Sequence, residues 1–152
     1  MEGLTHPLYA KFPPSPHCSC SICLSYCARP GWPLVEEARS AVEAGMAGRL
    51  MLEFSPDFSY GILAPAFRGN EGYFALSLYA RQGCTFLQDG KCTIFCEPFR
   101  PLECRFCHHA RTGQGLACHQ AIARQWNTSK GKRVVHRWLV EQGLEYPKIC
   151  QP

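Results

Sequence analysis

The chain has 152 residues, of which 46% are hydrophobic and 12% aromatic, a composition that excludes an intrinsically disordered protein. No apolar run approaches the roughly 20 residues that a membrane-spanning helix needs, so we expect no membrane partner. The formal charge of +4 counts all eleven cysteines as neutral, so it is only a weak signal for a nucleic-acid partner. The length fits one compact domain over residues 1–152.

The amino-terminal segment, residues 1–16, contains four prolines and little apolar periodicity. This pattern predicts an extended arm that lies along the body of the domain. Before Cys18 there is no basic stretch followed by an apolar one, so nothing in the sequence indicates a secretory signal. We therefore expect a cytoplasmic protein, in which most thiols stay reduced.

The stretch "HCSCSICLSYC" then places four cysteines within eleven residues, namely Cys18, Cys20, Cys23 and Cys27. The last three follow an i, i+3, i+7 spacing, which would put their sulfurs on one face of a helix. The chain has eleven cysteines, and clustered reduced cysteines indicate metal ligands or redox groups more than disulfides. We interpret this segment as part of a metal site.

The middle of the chain is organised into one helix and several short strands. "PLVEEARSAVEAGMAG" predicts a helix, with Pro33 at its start, Glu36 and Glu37 in its first turn and glycines at its end. The runs "RLMLEF", "YGILAP" and "GYFALSLY" are rich in strand-forming residues and predict a small antiparallel sheet. Residues 84–107 are irregular and crowded with cysteines, prolines and aromatics, as in a metal-organised loop.

The last part of the chain predicts two helices, "LACHQAIARQW" and "SKGKRVVHRWLVEQG". The second ends before Gly143 and places its apolar side chains, Val134, Val135, Trp138 and Leu139, on one side. The predicted fold class is therefore α+β: a small single domain in which three to four helices surround a short antiparallel sheet, organised by cysteine-ligated metal.

Four later motifs, in order, are "CTFL" at Cys84, "CTIF" at Cys92, "RPLECR" from Arg100 and "CHQAIAR" from Cys118. In these motifs the sequence resembles the YkgJ-like cysteine cluster proteins, zinc- or iron-chelating domains of the CxxCxxCC type. The opening "CSICLSYC" departs from that pattern, and Cys18 substitutes for the missing member of the adjacent pair. The resemblance implies eight ligands for two four-coordinate ions: Cys18, Cys20, Cys23, Cys27, Cys84, Cys92, Cys104 and Cys118.

The remaining cysteines and histidines have more ordinary interpretations. Cys96, Cys107 and Cys150 are first interpreted as small buried hydrophobes, although Cys107 forms a C-x2-C pair with Cys104. His108 and His109 could complete a metal site, but a surface or hydrogen-bonded role is the favoured interpretation.

Two acidic residues and one arginine near the cysteines also leave alternatives open. Glu97 and Glu103 could act as hard ligands or as a general base, but charged loop residues or partners of Arg100 are favoured. For Arg100, capping of a negative thiolate cluster and a plain salt bridge are equal contenders.

These observations favour a zinc- or iron-binding protein with one or two thiolate-rich sites, acting as a structural or metal-handling module. Zn2+ is the preferred ion, with iron or an iron–sulfur cluster as the alternative. The alternative function is an iron-dependent redox or modification enzyme acting on a peptide or small molecule, and a protein or peptide partner is left open. A basic helix face is interpreted as solvated surface; it comprises Lys130, Lys132, Arg133 and Arg137. We also predict that the amino-terminal cluster and the Cys84–Cys118 segment meet in space.

Overall fold

The computed structural model describes residues 6–26, 30–75 and 83–145. Within these residues it contains six α-helices and two two-stranded antiparallel sheets, so the predicted α+β class is confirmed. The helices are α1 Pro7–Lys11, α2 Ser21–Ser25, α3 Val35–Glu43, α4 Leu102–Phe106, α5 Gly115–Trp126 and α6 Ser129–Gln142. The strands are β1 Leu50–Phe54, β2 Gly61–Pro65, β3 Leu87–Gln88 and β4 Lys91–Cys92.

The central hairpin, β1–β2, pairs Leu50 with Pro65 at one end and Phe54 with Gly61 at the other. Every residue of β2 is buried, which fits its continuous run of apolar and small side chains. The third predicted strand is represented by a parallel bridge from Phe74 to Leu52. Residues 76–79, the rest of that run, lie outside the described residues.

Helices α5 and α6 pack on β2 of the hairpin, and α3 packs against α6. The two buried tryptophans of α5 and α6, Trp126 and Trp138, fill the centre of this layer. Each indole N–H donates to a backbone carbonyl, Trp126 to Pro33 at 2.8 Å and Trp138 to Ala47 at 2.9 Å. All three helices were predicted from the sequence, and α6 ends at Gly143 in the left-handed conformation, as expected.

The amino-terminal segment differs from the expected extended arm in that Pro7–Lys11 forms one helical turn. Pro7 occupies the first turn, where its missing N–H costs nothing, and the His6 side chain accepts a hydrogen bond from the Leu8 N–H. The segment does lie along the body, because the Tyr9 hydroxyl donates to the buried carboxylate of Glu37. Residues 1–5 lie outside the described residues.

The second cysteine-rich segment, residues 84–118, contains a hairpin with a two-residue loop, followed by a short helix. β3 and β4 are joined by Asp89 and Gly90, both with positive φ, as a tight Asp-Gly turn requires. Helix α4 follows, and a 3-10 turn, His109–Arg111, leads into α5. The 3-10 turn carries His109, one member of the candidate site.

Candidate metal centre

Three cysteines of the amino-terminal cluster surround one histidine from the second cysteine-rich segment. The Nδ1 atom of His109 lies 3.5 Å from the sulfur of Cys18, 3.4 Å from that of Cys20 and 3.3 Å from that of Cys23. All four ligand atoms lie within 4.8 Å of one another. In a tetrahedral zinc site, with Zn–S of about 2.3 Å and Zn–N of about 2.0 Å, sulfur and nitrogen are about 3.5 Å apart. The three sulfur-to-nitrogen distances of this group match that spacing, so the four side chains could hold a metal ion.

The backbone of both segments supports this arrangement with N–H groups aimed at sulfur. Cys20 is the N-cap of α2, and its sulfur accepts from the Cys23 N–H at 3.5 Å. The sulfur of Cys23 in turn accepts from the backbone N–H of His109 at 3.3 Å. Such donors favour the thiolate form, which is the form that binds metal.

The thiols of this group are electrostatically coupled. Hydrogen bonding from the Cys23 backbone lowers the pKa of Cys20 to about 6. Desolvation raises the pKa of Cys23 to about 11, with the neighbouring sulfurs adding to the increase. Three thiolates this close repel one another, and a divalent cation between them removes that repulsion.

The two adjacent histidines have different roles. His108 is the N-cap of the 3-10 turn, where its Nδ1 atom accepts from the Ala110 N–H at 3.1 Å. The favoured hydrogen-bonded interpretation therefore fits His108, whereas His109 joins the three thiols. Residue types alone could not separate the two, and the only sequence signal was their position directly after Cys107.

The two cysteine-rich segments meet, as the sequence predicts. Ser15 binds the carbonyls of the last two residues of α4: its N–H donates to Arg105 at 2.7 Å and its hydroxyl to Phe106 at 2.6 Å. The guanidinium of Arg111 donates to the Pro13 carbonyl at 2.5 Å. These contacts hold the Cys18–Cys23 loop against the 3-10 turn that carries His109.

A cavity of about 920 Å³ lies beside this site. Residues between Ser15 and Tyr26 form one wall, and the β3–β4 hairpin, α4 and the start of α5 form the others. Its lining includes six cysteines: Cys18, Cys23, Cys84, Cys92, Cys104 and Cys107. A space of this size can hold a small molecule or a short peptide side chain.

The other predicted ligands are distributed around this cavity, with one exception. Cys84, Cys92 and Cys104 line it, and the Cys84 thiol raises the pKa of Cys104 in addition to the larger effect of burial. Cys118 is instead fully buried in the hydrophobic core, where desolvation raises its pKa to about 12. Within residues 6–26, 30–75 and 83–145, the Cys18–His109 set alone has three or more ligand atoms within 4.8 Å. Roles as ligands for these four cysteines remain predictions.

The three cysteines without a predicted ligand role also lie in different places. Cys96 is exposed and is not part of the cavity lining, which differs from its interpretation as a buried hydrophobe. Cys107 lines the cavity as the C-cap of α4, and burial, with smaller contributions from Glu103 and Cys23, raises its pKa to about 12. Cys27, a predicted ligand, and Cys150 lie outside the described residues.

Two charged side chains of the second cysteine-rich segment, those of Arg100 and Glu103, form hydrogen bonds within the fold. The guanidinium of Arg100 donates to the Cys104 carbonyl at 3.1 Å and lies over the Phe95 ring. Glu97 is exposed. Glu103 instead accepts from the backbone N–H of Trp32 at 3.1 Å and contacts Nδ1 of His119 at 2.6 Å. His119 belongs to the cavity lining and was not singled out from the sequence.

The fold and this site define a class of protein: a small α+β domain with a Cys3His group able to bind a metal ion. Searches against family models, curated proteins and solved structures find no significant match to the chain. None of the helices in the described ranges has the length and apolar character needed to cross a bilayer.

Proposed function

We propose that the protein is a zinc-binding module in which Cys18, Cys20, Cys23 and His109 hold one ion in a closed, four-ligand site. The observation that carries this proposal is the set of three sulfur-to-Nδ1 distances of 3.3–3.5 Å around His109. Four protein ligands leave no open coordination position, which is the pattern of a structural zinc site rather than a catalytic one.

The ion would act by joining two distant parts of the chain. The hydrogen bonds of Ser15 and Arg111 already bring the segments together, and an ion would add bonds between Cys18–Cys23 and His109. Structural zinc contributes on the order of 10 kcal/mol to the folding of small zinc domains. We therefore expect metal to stabilise the wall of the cavity that residues between Ser15 and Tyr26 form.

The resemblance to the YkgJ-like cysteine cluster proteins is part of this proposal, as is a cytoplasmic location that keeps the thiols reduced. The second candidate function is an iron or iron–sulfur enzyme acting on a peptide or small molecule. It is favoured by the 920 Å³ cavity, because Cys18 and Cys23 line that cavity and adjoin a space large enough for a substrate.

The test is metal analysis of protein purified without oxygen, comparing wild type with Cys20→Ser and Cys96→Ser. We expect zinc in the wild type, one equivalent fewer in Cys20→Ser and no change in Cys96→Ser. Cys96 is a matched control because it is a cysteine on the surface outside the cavity lining.

The outcomes separate the candidates. Equal metal content in wild type and Cys20→Ser would overturn the Cys3His assignment. A brown protein that carries iron and little zinc, with absorption bleached by a reductant, would replace the zinc module by the iron enzyme.

A further inference from the structure

The imidazole of His119 is fixed in one orientation by its neighbours. Its Nδ1 atom lies 2.6 Å from Oε2 of Glu103, and its ring stacks on the indole of Trp32 with 3.5 Å between ring centroids. The other carboxylate oxygen of Glu103 accepts from the Trp32 backbone N–H, and the indole N–H donates to Glu53 at 2.7 Å. Histidines that bind metal typically donate their second ring N–H to a carboxylate in this way.

The second ring nitrogen of His119 is available for a ligand. His119 lines the 920 Å³ cavity, and its side chain is 29% exposed. In the described ranges no hydrogen bond to its Nε2 atom is present. With Nδ1 bonded to Glu103 and one ring face covered by Trp32, the free edge of the imidazole carries Nε2.

Three thiols line the same cavity as His119, namely those of Cys84, Cys104 and Cys107. Cys104 belongs to α4 and Cys107 is its C-cap, and the charge of Glu103 acts on both thiols. Cys84 also lines the cavity and interacts electrostatically with Cys104. One nitrogen and three sulfurs are a ligand set that suits zinc.

We propose that this part of the cavity is a second metal site for a thiophilic divalent ion such as zinc, with His119 Nε2, Cys84, Cys104 and Cys107 as ligands and Glu103 as the positioning residue. His119 thereby takes the place of Cys118, the adjacent residue, whose side chain is fully buried in the core and does not line the cavity. This second site and the Cys18–His109 site have only the type of metal in common. An experiment can therefore reject either site without rejecting the other.

The second site fills after the first. Among the described residues the Cys18–His109 set alone already has its ligand atoms within 4.8 Å of one another. At the second site the thiols must turn toward the ion, and this rearrangement lowers the affinity. A zinc titration therefore shows a tight equivalent followed by a weaker one.

The experiment is an anaerobic titration of metal-free protein with zinc against a coloured chelator, repeated with Co2+ to observe thiolate-to-cobalt absorption. The variants are Cys20→Ser, which removes a ligand of the first site only, His119→Gln, and Cys118→Ser. We expect wild type and Cys118→Ser to bind two equivalents of metal. His119→Gln should bind only the tight equivalent, and Cys20→Ser should bind only the weak one.

A further variant tests the role of Glu103. In Glu103→Gln the side-chain oxygen still accepts from the Trp32 N–H, but the amide donates to Nδ1 of His119 and leaves the ring proton on Nε2. The weaker equivalent then loses about 10- to 100-fold in affinity, while the tight one is unchanged. If His119→Gln does not fold, His119→Cys supplies a ligand of another type and retains two equivalents.

The proposal is overturned by a wild type that binds one equivalent, if Cys20→Ser abolishes that equivalent. It is equally overturned if His119→Gln binds two equivalents, or if Cys118→Ser loses the weaker one. Binding of one equivalent that survives in Cys20→Ser but is lost in His119→Gln supports the second site and rejects the first.

Discussion

The sulfur of Cys23 lies 3.3 Å from Nδ1 of His109, although 86 positions separate the two residues in the chain. The backbone N–H of His109 points at the same sulfur. One residue of the 3-10 turn therefore contacts Cys23 through both its side chain and its main chain. This double contact fixes the position of His109.

His109→Ala should remove one of four ligands, whereas His108→Ala should remove only the cap of the 3-10 turn. We expect zinc affinity to fall in His109→Ala by more than the 10- to 100-fold typical of losing an outer-shell partner. In His108→Ala the affinity should hold, with a cost in stability of about 1 kcal/mol. Competition with a chelator measures the affinities, and equal losses in both variants would contradict the assignment.

Removal of metal should expose residues 13–26 to proteases. Without an ion, residues 13–26 depend on a few hydrogen bonds, chiefly those of Ser15, Tyr26 and Arg111. We expect a strong chelator to increase cleavage in this segment at least several-fold, with little change in the α5–α6 region. Limited proteolysis followed by mass spectrometry locates the cuts, and a cleavage pattern that does not change with chelation would argue against the closed site.

The stability of the fold should respond to the ionisation of Glu37. Burial raises the pKa of this carboxyl, although its hydrogen bonds from Tyr9, Leu34 and Leu102 oppose the increase. A raised pKa in the folded state means that protonated Glu37 contributes stability at low pH. That contribution is fully present below the unfolded-state value of about 4.5 and is lost as pH rises through the folded-state value.

Glu37→Gln is the matched variant for this effect, because its amide oxygen can accept from Leu34 and Leu102 while its NH2 group donates to the Tyr9 oxygen. The free energy of unfolding of wild type relative to Glu37→Gln should fall as pH rises from 4.5. Denaturant unfolding of both proteins over this range provides the comparison, and a constant difference would show that Glu37 keeps an ordinary pKa.

Gly31 should not tolerate a side chain, because a Cβ atom there would lie 2.7 Å from the sulfur of Cys104 and 2.8 Å from its backbone nitrogen. Gly31→Ala should lower the free energy of unfolding by about 1–3 kcal/mol, as overpacking does elsewhere. Gly48→Ala is the control, since a Cβ atom at Gly48 meets no other atom within 4 Å. Comparable thermal melts for the two variants would mean that the backbone of α4 adjusts freely.

Local patterns predicted much of the fold. The helices α3, α5 and α6 follow from amphipathic periodicity and from their end signals, such as the left-handed Gly143. The turn at Pro7–Lys11 was missed because five residues are too few to show a period, and the side-chain cap from His6 that supports it is not a usual N-cap signal.

The candidate site was predicted only in part, because its ligands come from distant segments. Clustering identified Cys18, Cys20 and Cys23, but the choice of His109 over His108 depends on which ring caps the 3-10 turn. The burial of Cys118 did have a local signal. On α5 it shares the i, i+3, i+4, i+8 face with Ala121, Ile122 and Trp126, all of which are buried.

The hydrogen bonds that build the amino-terminal wall of the cavity span 91 positions from Ser15 to Phe106 and 98 from Pro13 to Arg111. Contacts of such long range require closure of a large loop, and their entropic cost is repaid only after the intervening chain is ordered. The β1–β2 hairpin and the α5–α6 pair are local by comparison. Newly made chains should therefore pass through a stage in which the helical body is formed while the thiols of Cys18, Cys20 and Cys23 remain open to solvent. If the Cys18–His109 site binds an ion as proposed, oxidation of these thiols competes with metal capture during that interval.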